Sequence, residues 1–169
     1  WAYFQAVQLW GAVPLITKPQ TAGSEDFLPS RAPVESVYKL IVDDLLEAEK
    51  AGLPWMDVSG RVCLAAVKAQ LGKVYLTNGD KTNAALALKR VVASNQYSLV
   101  TDYAKLWGAA NENGAESIFE IQYKTGGQGE GSGYLEYFAA ILGRSGGAGG
   151  GNASMPVTPD MLAAYTTGD

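Results

Sequence analysis

Apolar side chains recur three and four positions apart along much of the first hundred residues, and that period predicts helices. Val34, Val37, Tyr38, Ile41, Leu45 and Ala48 define one such face. Pro33 suits the first helical position, and Glu35 suits the positive end of the helix dipole. Glu35 and Lys39, four residues apart, are expected to pair on the outer face. Gly52 should end this helix and Pro54 should prevent its resumption. Upstream, Trp1, Phe4, Val7 and Leu9 read as the tail of a helix stopping near Gly11. Val13-Pro14-Leu15-Ile16 reads as extended chain, because the residue before a proline avoids the α region. Residues 17–32 form a polar loop.

The stretch 62–78 is apolar nearly all round, so a helix there must be covered on several sides. With 81–94 it reads as an antiparallel pair of tetratricopeptide type. Leu71-Gly72 is followed by Tyr75, then by Ala84 and Leu88, across a tight Asn78-Gly79-Asp80 turn. Small residues permit close approach of the two arms, and large ones fill the groove between them. Gly79 would cap the first arm and Asp80 the start of the second. Tyr97-Ser98-Leu99 reads as a turn and 101–107 as a short helix. Phe119, Ile121 and Tyr123 alternate with Ile118, Glu120 and Gln122, as in a short strand or extended segment. Eleven of the 20 glycines then fall between Gly126 and Gly151, around the aromatic island Tyr134-Leu135-Glu136-Tyr137-Phe138. A loop of that length is a functional candidate. Thr158 should cap a final short helix through Pro159, Met161, Leu162 and Tyr165.

Composition narrows the chemistry. A content of 47% hydrophobic residues in 169 argues for a packed core rather than disorder. The net charge of −4 is a poor match to nucleic acid, which requires a basic stripe. Histidine is absent, which removes Ser-His-Asp and Cys-His catalysis and every histidine-ligated metal site. The single cysteine, Cys63, cannot form an intrachain disulfide and reads as a small buried hydrophobe. Asp43, Asp44 and Glu47 lie on one helix rather than in an alternating carboxylate loop, so no metal is expected there, and Asp44 is a candidate partner for Arg61. Gly126-Gly127-Gln128-Gly129 lacks the Gly-Lys-Ser/Thr ending of a phosphate loop. The chain starts inside one helical pattern and stops just after another, as an internal fragment of a longer protein would.

In this order along the chain, several motifs resemble the SusD/RagB family of Bacteroidetes glycan-binding outer-membrane lipoproteins. They are Trp10-Gly11-Ala12-Val13-Pro14-Leu15; Val37-Tyr38 through Ile41, Asp43-Asp44-Leu45, Ala48 and Leu53-Pro54; and Gly60-Arg61 leading to Ala65-Ala66 and Val74-Tyr75-Leu76. Tyr97-Ser98-Leu99, Asn111, Glu116-Ser117-Ile118-Phe119-Glu120-Ile121 and Pro156-Val157-Thr158-Pro159 follow. The resemblance spans nearly the whole chain but only the middle of a typical member. It implies a mainly α fold of tetratricopeptide-like antiparallel helix pairs, with long loops and at most a short strand segment. The expected organisation is one domain over 1–169, with a helical repeat core at 1–107. An extended segment and glycine-rich loop cover 115–154, and a short helix covers 158–166. The implied function is non-catalytic capture of oligosaccharide or polysaccharide at the cell surface for a SusC-type TonB-dependent transporter. A lipid anchor would lie outside this chain, and no cofactor, metal, catalytic residue or nucleic acid is implied.

Aromatic faces stack on sugars while amides and guanidinium groups bond hydroxyls. Tyr134, Tyr137 and Phe138 are therefore the glycan-binding candidates in the glycine-rich excursion, with Arg144 and Asn152 as polar partners. Tyr134 and Tyr137 serve equally well to anchor that loop onto the helical body, and Arg144 and Asn152 to solvate it. Trp55, in the turn after Leu53-Pro54, is a further candidate. Trp1 and Trp107 read instead as core residues. The alternative function is a tetratricopeptide-like scaffold for protein partners. A carboxylate glycosidase would need paired acids beside a sugar cleft, for which Glu130 and Glu136 are the only acids near the aromatic island.

Overall fold

The computed structural model describes residues 1–21, 29–123 and 158–164. The chain divides into two compact units, Trp1–Ile121 and Gln122–Asp169. Among the described residues the first unit carries four α-helices: α1 (Ala2–Trp10), α2 (Val34–Glu49), α3 (Leu64–Thr77) and α4 (Lys81–Val92). Each packs on the next, α1 on α2, α2 on α3 and α3 on α4. Consecutive contact of this kind is how stacked helical pairs share a core. In the second unit, α5 (Pro159–Ala163) starts at Thr158, whose Oγ1 accepts a hydrogen bond from the Met161 N–H at 3.3 Å.

The periodic apolar face of α2 forms the core, as its spacing requires. Val37, Tyr38 and Ile41 are buried against Phe4 and Val7 of α1 and Val74 of α3. Phe4 and Tyr38 meet edge to face with ring centroids 6.5 Å apart. Burying a side chain the size of Phe4 contributes roughly 1.5–3 kcal/mol. Pro33 falls one position earlier than expected, at the N-cap, where its φ of −55° leads the chain into the helix. Lys39 pairs with Asp43 at 2.5 Å instead of with Glu35. Both carboxylates lie one turn away, so a small rotamer difference decides the partner.

Between α1 and α2 the chain is held by single contacts rather than by a sheet. Val13 and Ala32 form an isolated antiparallel bridge, with the Ala32 N–H donating to the Val13 carbonyl at 2.9 Å. Arg31 donates to the carbonyls of Ala12 and Trp10 at 2.6 and 2.9 Å, satisfying backbone acceptors past the end of α1.

The α3–α4 pair has the close approach expected of it. A Cβ built on Gly72 would lie 2.5 Å from Leu88 Cγ, so glycine at this crossing lets Leu88 sit against the α3 backbone. Ala84, Ala87 and Val91 are buried on the facing side of α4. Gly79 takes φ +86°, a conformation open to glycine, and Asp80 Oδ1 accepts from the Asn83 N–H at 3.0 Å. That hydrogen bond, followed by the side chain of Asn83, holds the Asp80 carboxyl below the ordinary range.

Among the described residues between 93 and 123 there is little regular structure. The short helix expected over 101–107 is a 3₁₀ turn at Tyr103–Leu106, and a second 3₁₀ turn follows at Ala109–Asn111. Ile118 lies in a bend, and residues 119–123 take no regular structure and form no strand pairing. Cys63 is fully buried, as expected, with its Sγ 3.5 Å from the Ile118 carbonyl. Tyr97 lies beside it, and burial first, then Cys63, pushes the phenol pKa up.

Two tryptophans depart from expectation. Trp1 is 76% exposed and Trp107 is 63% exposed, so neither belongs to the core of the described residues. Trp1 precedes the first turn of α1, whose buried positions are Phe4 and Val7. Trp107 follows a 3₁₀ turn in extended conformation, and its ring meets that of Tyr103 edge to face.

Candidate functional site

Trp55 is the one predicted glycan-contact residue within the described chain. Tyr134, Tyr137, Phe138, Arg144 and Asn152 lie outside the described residues, as do Glu130 and Glu136. Trp55 is pinned through its backbone. The carbonyl of Pro54 accepts from the Leu64 N–H at 2.8 Å, and that of Trp55 from the Ala65 N–H at 3.2 Å. These bonds satisfy first-turn amides of α3, whose N-cap Cys63 provides no side-chain cap. The loop that follows is tightened by Asp57, which accepts from the Ser59 N–H at 2.7 Å. The Ser59 hydrogen bonds, more than Arg61, lower the Asp57 pKa.

So fixed, the half-buried indole forms one side of an open hollow of about 650 Å³ lined by Trp55, Lys68, Arg90, Ala93, Ser94 and Gln96. Its Nε1 is buried and has no hydrogen-bond partner among the described residues. Lys68 is only 8% exposed and donates to Glu49 Oε1. Arg90 Nη1 stands 3.8 Å from the same oxygen. A buried ammonium demands a paired anion, and Glu49, at the end of α2, supplies it across to α3. One carboxylate thus faces two cations, both of which line the hollow with Trp55. Ser94 is already engaged, its Oγ donating to the Val91 carbonyl at 2.6 Å.

Sequence reasoning found Trp55 but not Glu49, Lys68 or Arg90. Lysine in the otherwise apolar run Leu64-Ala65-Ala66-Val67-Lys68 was the available signal, because a lone cation on a buried helix implies a buried partner. The acidic face of α2 was read through Asp43, Asp44 and Glu47. Among the described residues Asp44 forms no ion pair with Arg61.

A second aromatic feature is the exposed pair Tyr103 and Trp107, with ring centroids 5.9 Å apart at 74°. Trp107 borders a smaller hollow of about 270 Å³ shared with Lys105, Asn111, Glu116 and Glu120. Both carboxylates are engaged by backbone, Glu116 by the Val100 N–H and Glu120 by the Asn113 N–H, each at 3.0 Å.

The architecture places the chain among proteins built of stacked antiparallel helical pairs. Comparison with known proteins gives the family. A curated SusD-like protein of Formosa agariphila is 34% identical over 135 residues, covering 72% of this chain and 26% of that protein. A SusD superfamily protein from Parabacteroides distasonis is 37% identical, with a TM-score of 0.70 over 79% of this chain and 30% of that one. A protein whose crystal structure was determined with xylogluco-oligosaccharide is 27% identical, with a TM-score of 0.70 over 80% of this chain and 30% of its own. No family model matches the chain. The chain belongs to the SusD/RagB family. It spans between 24% and 30% of the length of the curated relatives it matches.

Proposed function

We propose that this chain is part of a non-catalytic glycan-binding component of a polysaccharide-uptake complex, capturing oligosaccharides for a SusC-type TonB-dependent transporter. The observation that carries the reading is the family membership, with a relative of the same fold crystallised with xylogluco-oligosaccharide. The Trp55 hollow adds physical support, since it combines an aromatic wall with charged hydrogen-bonding groups on a rigid helical frame. Tyr134, Tyr137, Phe138, Arg144 and Asn152 remain proposed contacts on the glycine-rich loop. A surface position at the outer membrane, through a lipid anchor elsewhere in the polypeptide, fits this role. No described helix is long and apolar enough to cross a membrane. Affinity electrophoresis of the chain in gels containing a panel of polysaccharides tests the reading. Retardation by at least one glycan is expected, without release of reducing sugar. Unretarded migration in every gel, or hydrolysis of the retaining glycan, would overturn it.

A second reading, the helix pairs as a surface for a protein partner, draws on exposed apolar side chains. Leu86 and Val92 on α4 and Leu9 and Trp10 on α1 all face solvent. Co-purification with the transporter, lost on Leu86→Lys with Val92→Lys, would place the partner on α4.

A further inference from the structure

Charge is distributed unevenly around the Trp55 hollow. Lys68 and Glu49 form a nearly buried pair with side chains 10% and 18% exposed, and they neutralise each other. Arg90 is the surplus cation. Among the described residues its closest anion is the already occupied Glu49 at 3.8 Å, beyond hydrogen-bond distance, and its side chain is 66% exposed. The guanidinium therefore keeps its planar set of donors for a ligand, while Glu49 limits where it can move. The other wall is apolar, formed by the Trp55 ring, Ala93 and the methylene lengths of Lys68 and Arg90. At about 650 Å³ the hollow is within the range of roughly 300–1,000 Å³ typical of small-molecule sites.

A ligand that satisfies both walls carries an anionic oxygen group on a ring with an apolar face. A free anion would leave the indole uncovered, and a neutral sugar would leave the guanidinium unpaired. We propose that the hollow between Trp55 and Arg90 is a subsite for an anionic sugar unit, a pyranose bearing a carboxylate or a sulfate ester. The inference rests on the glycan-binding reading above and adds a charge preference to it. The ring stacks on Trp55, and the anionic group accepts charge-assisted hydrogen bonds from Arg90. Lys68 and Glu49 act as positioning residues that hold the floor and restrain Arg90.

Calorimetric titration of the full chain with three oligosaccharides of equal length tests this: one uronate-bearing, one sulfated and one neutral. At least one acidic ligand should bind about 10-fold more tightly than the neutral one, as expected for one charge-assisted contact. Raising the salt concentration should erode that advantage. The two acidic arms distinguish carboxylate from sulfate. Arg90→Gln, at an exposed position that the fold tolerates, should bring the acidic-to-neutral affinity ratio close to one, and Arg90→Lys should restore part of it. Trp55→Phe, which keeps a ring, should weaken acidic binding less than Trp55→Ala. In nuclear magnetic resonance the Trp55 indole N–H signal should shift on adding the acidic ligand. Equal affinity for acidic and neutral ligands, or an acidic preference that survives Arg90→Gln, would overturn the subsite while leaving glycan capture intact. Failure of all three sugars, with an acidic peptide binding instead, would overturn the subsite and the glycan reading together.

Discussion

Trp55 and Trp107 are both tryptophans in irregular chain next to a hollow, yet their surroundings differ in what holds them. Trp55 is fastened to the start of α3 by its own carbonyl and that of Pro54, and it shares its hollow with Lys68, which is paired to Glu49. Trp107 follows a 3₁₀ turn, is largely exposed and has the Tyr103 ring as its aromatic neighbour. The first is a rigid wall whose chemistry is set by groups from three helices. The second is a surface feature whose neighbours nearly all come from the same short stretch of chain. A site that must hold a ligand in one orientation is better built on the first plan, because its supporting groups are locked by packing.

The sharpest way to break this contrast is to remove the anion that pairs with Lys68. Glu49→Ala leaves Lys68 buried without a counter-charge and should cost about 3–5 kcal/mol, read by urea unfolding. Lys68→Met, which removes the cation and keeps its volume, should cost far less. Similar losses from both would mean that the pair does not support the hollow. Trp55→Ala comes next, with an expected loss of about 2–4 kcal/mol for a half-buried indole. Trp107→Ala should cost about 0.5–1.5 kcal/mol, roughly the worth of its edge-to-face contact with Tyr103. Thermal melts giving Trp107→Ala the larger effect would reverse the comparison.

Smaller effects refine the frame that carries Trp55. Gly72→Ala gains roughly 1 kcal/mol of helix propensity but drives a methyl into Leu88, so a net loss of about 1 kcal/mol is expected. In a double-mutant cycle with Leu88→Ala the two changes should couple, and simple additivity would show that the crossing is not tight there. Asp80 gives the smallest signal and a defined sign. Its folded pKa is lowered by Asn83, so its contribution is fully present above the ordinary carboxylate pKa and is lost as pH falls through the lower folded value. Asp80→Asn should keep the cap while removing that acid-dependent part of the unfolding profile. An unchanged pH profile in this variant would assign the acid sensitivity to other carboxylates.

Much of the frame was legible because its signals are local. The period of Val37, Tyr38 and Ile41 needs only the helix it belongs to, and so do the Gly79 turn and the Asp80 cap. Burial of Cys63 followed from its place beside an apolar helix. The pairing of α3 with α4 was readable from Gly72 and Leu88, since a tight turn brings neighbouring segments together. The expectations for Trp1 and Trp107 failed for one shared reason. Aromatic character predicts that a side chain is worth burying, but burial also requires something opposite it, and hydrophobicity along a chain does not reveal that neighbour.

The sequence by itself therefore determined the helices, the Gly79–Asp80 turn and cap, the close α3–α4 crossing and the family resemblance, each of which rests on spacing within a few turns or on the order of motifs. Only the tertiary structure decided that Glu49, Lys68 and Arg90 converge, and that Lys68 and Arg90 share a hollow with Trp55. Lys68 and Glu49 are 19 positions apart in the chain and meet across two helices. Their meeting follows from the cost of burying an unpaired charge, which can be satisfied only once α2, α3 and α4 are packed together. The chain announced a lone lysine in an apolar helix, and the fold chose its partner and placed the surplus arginine beside an aromatic wall.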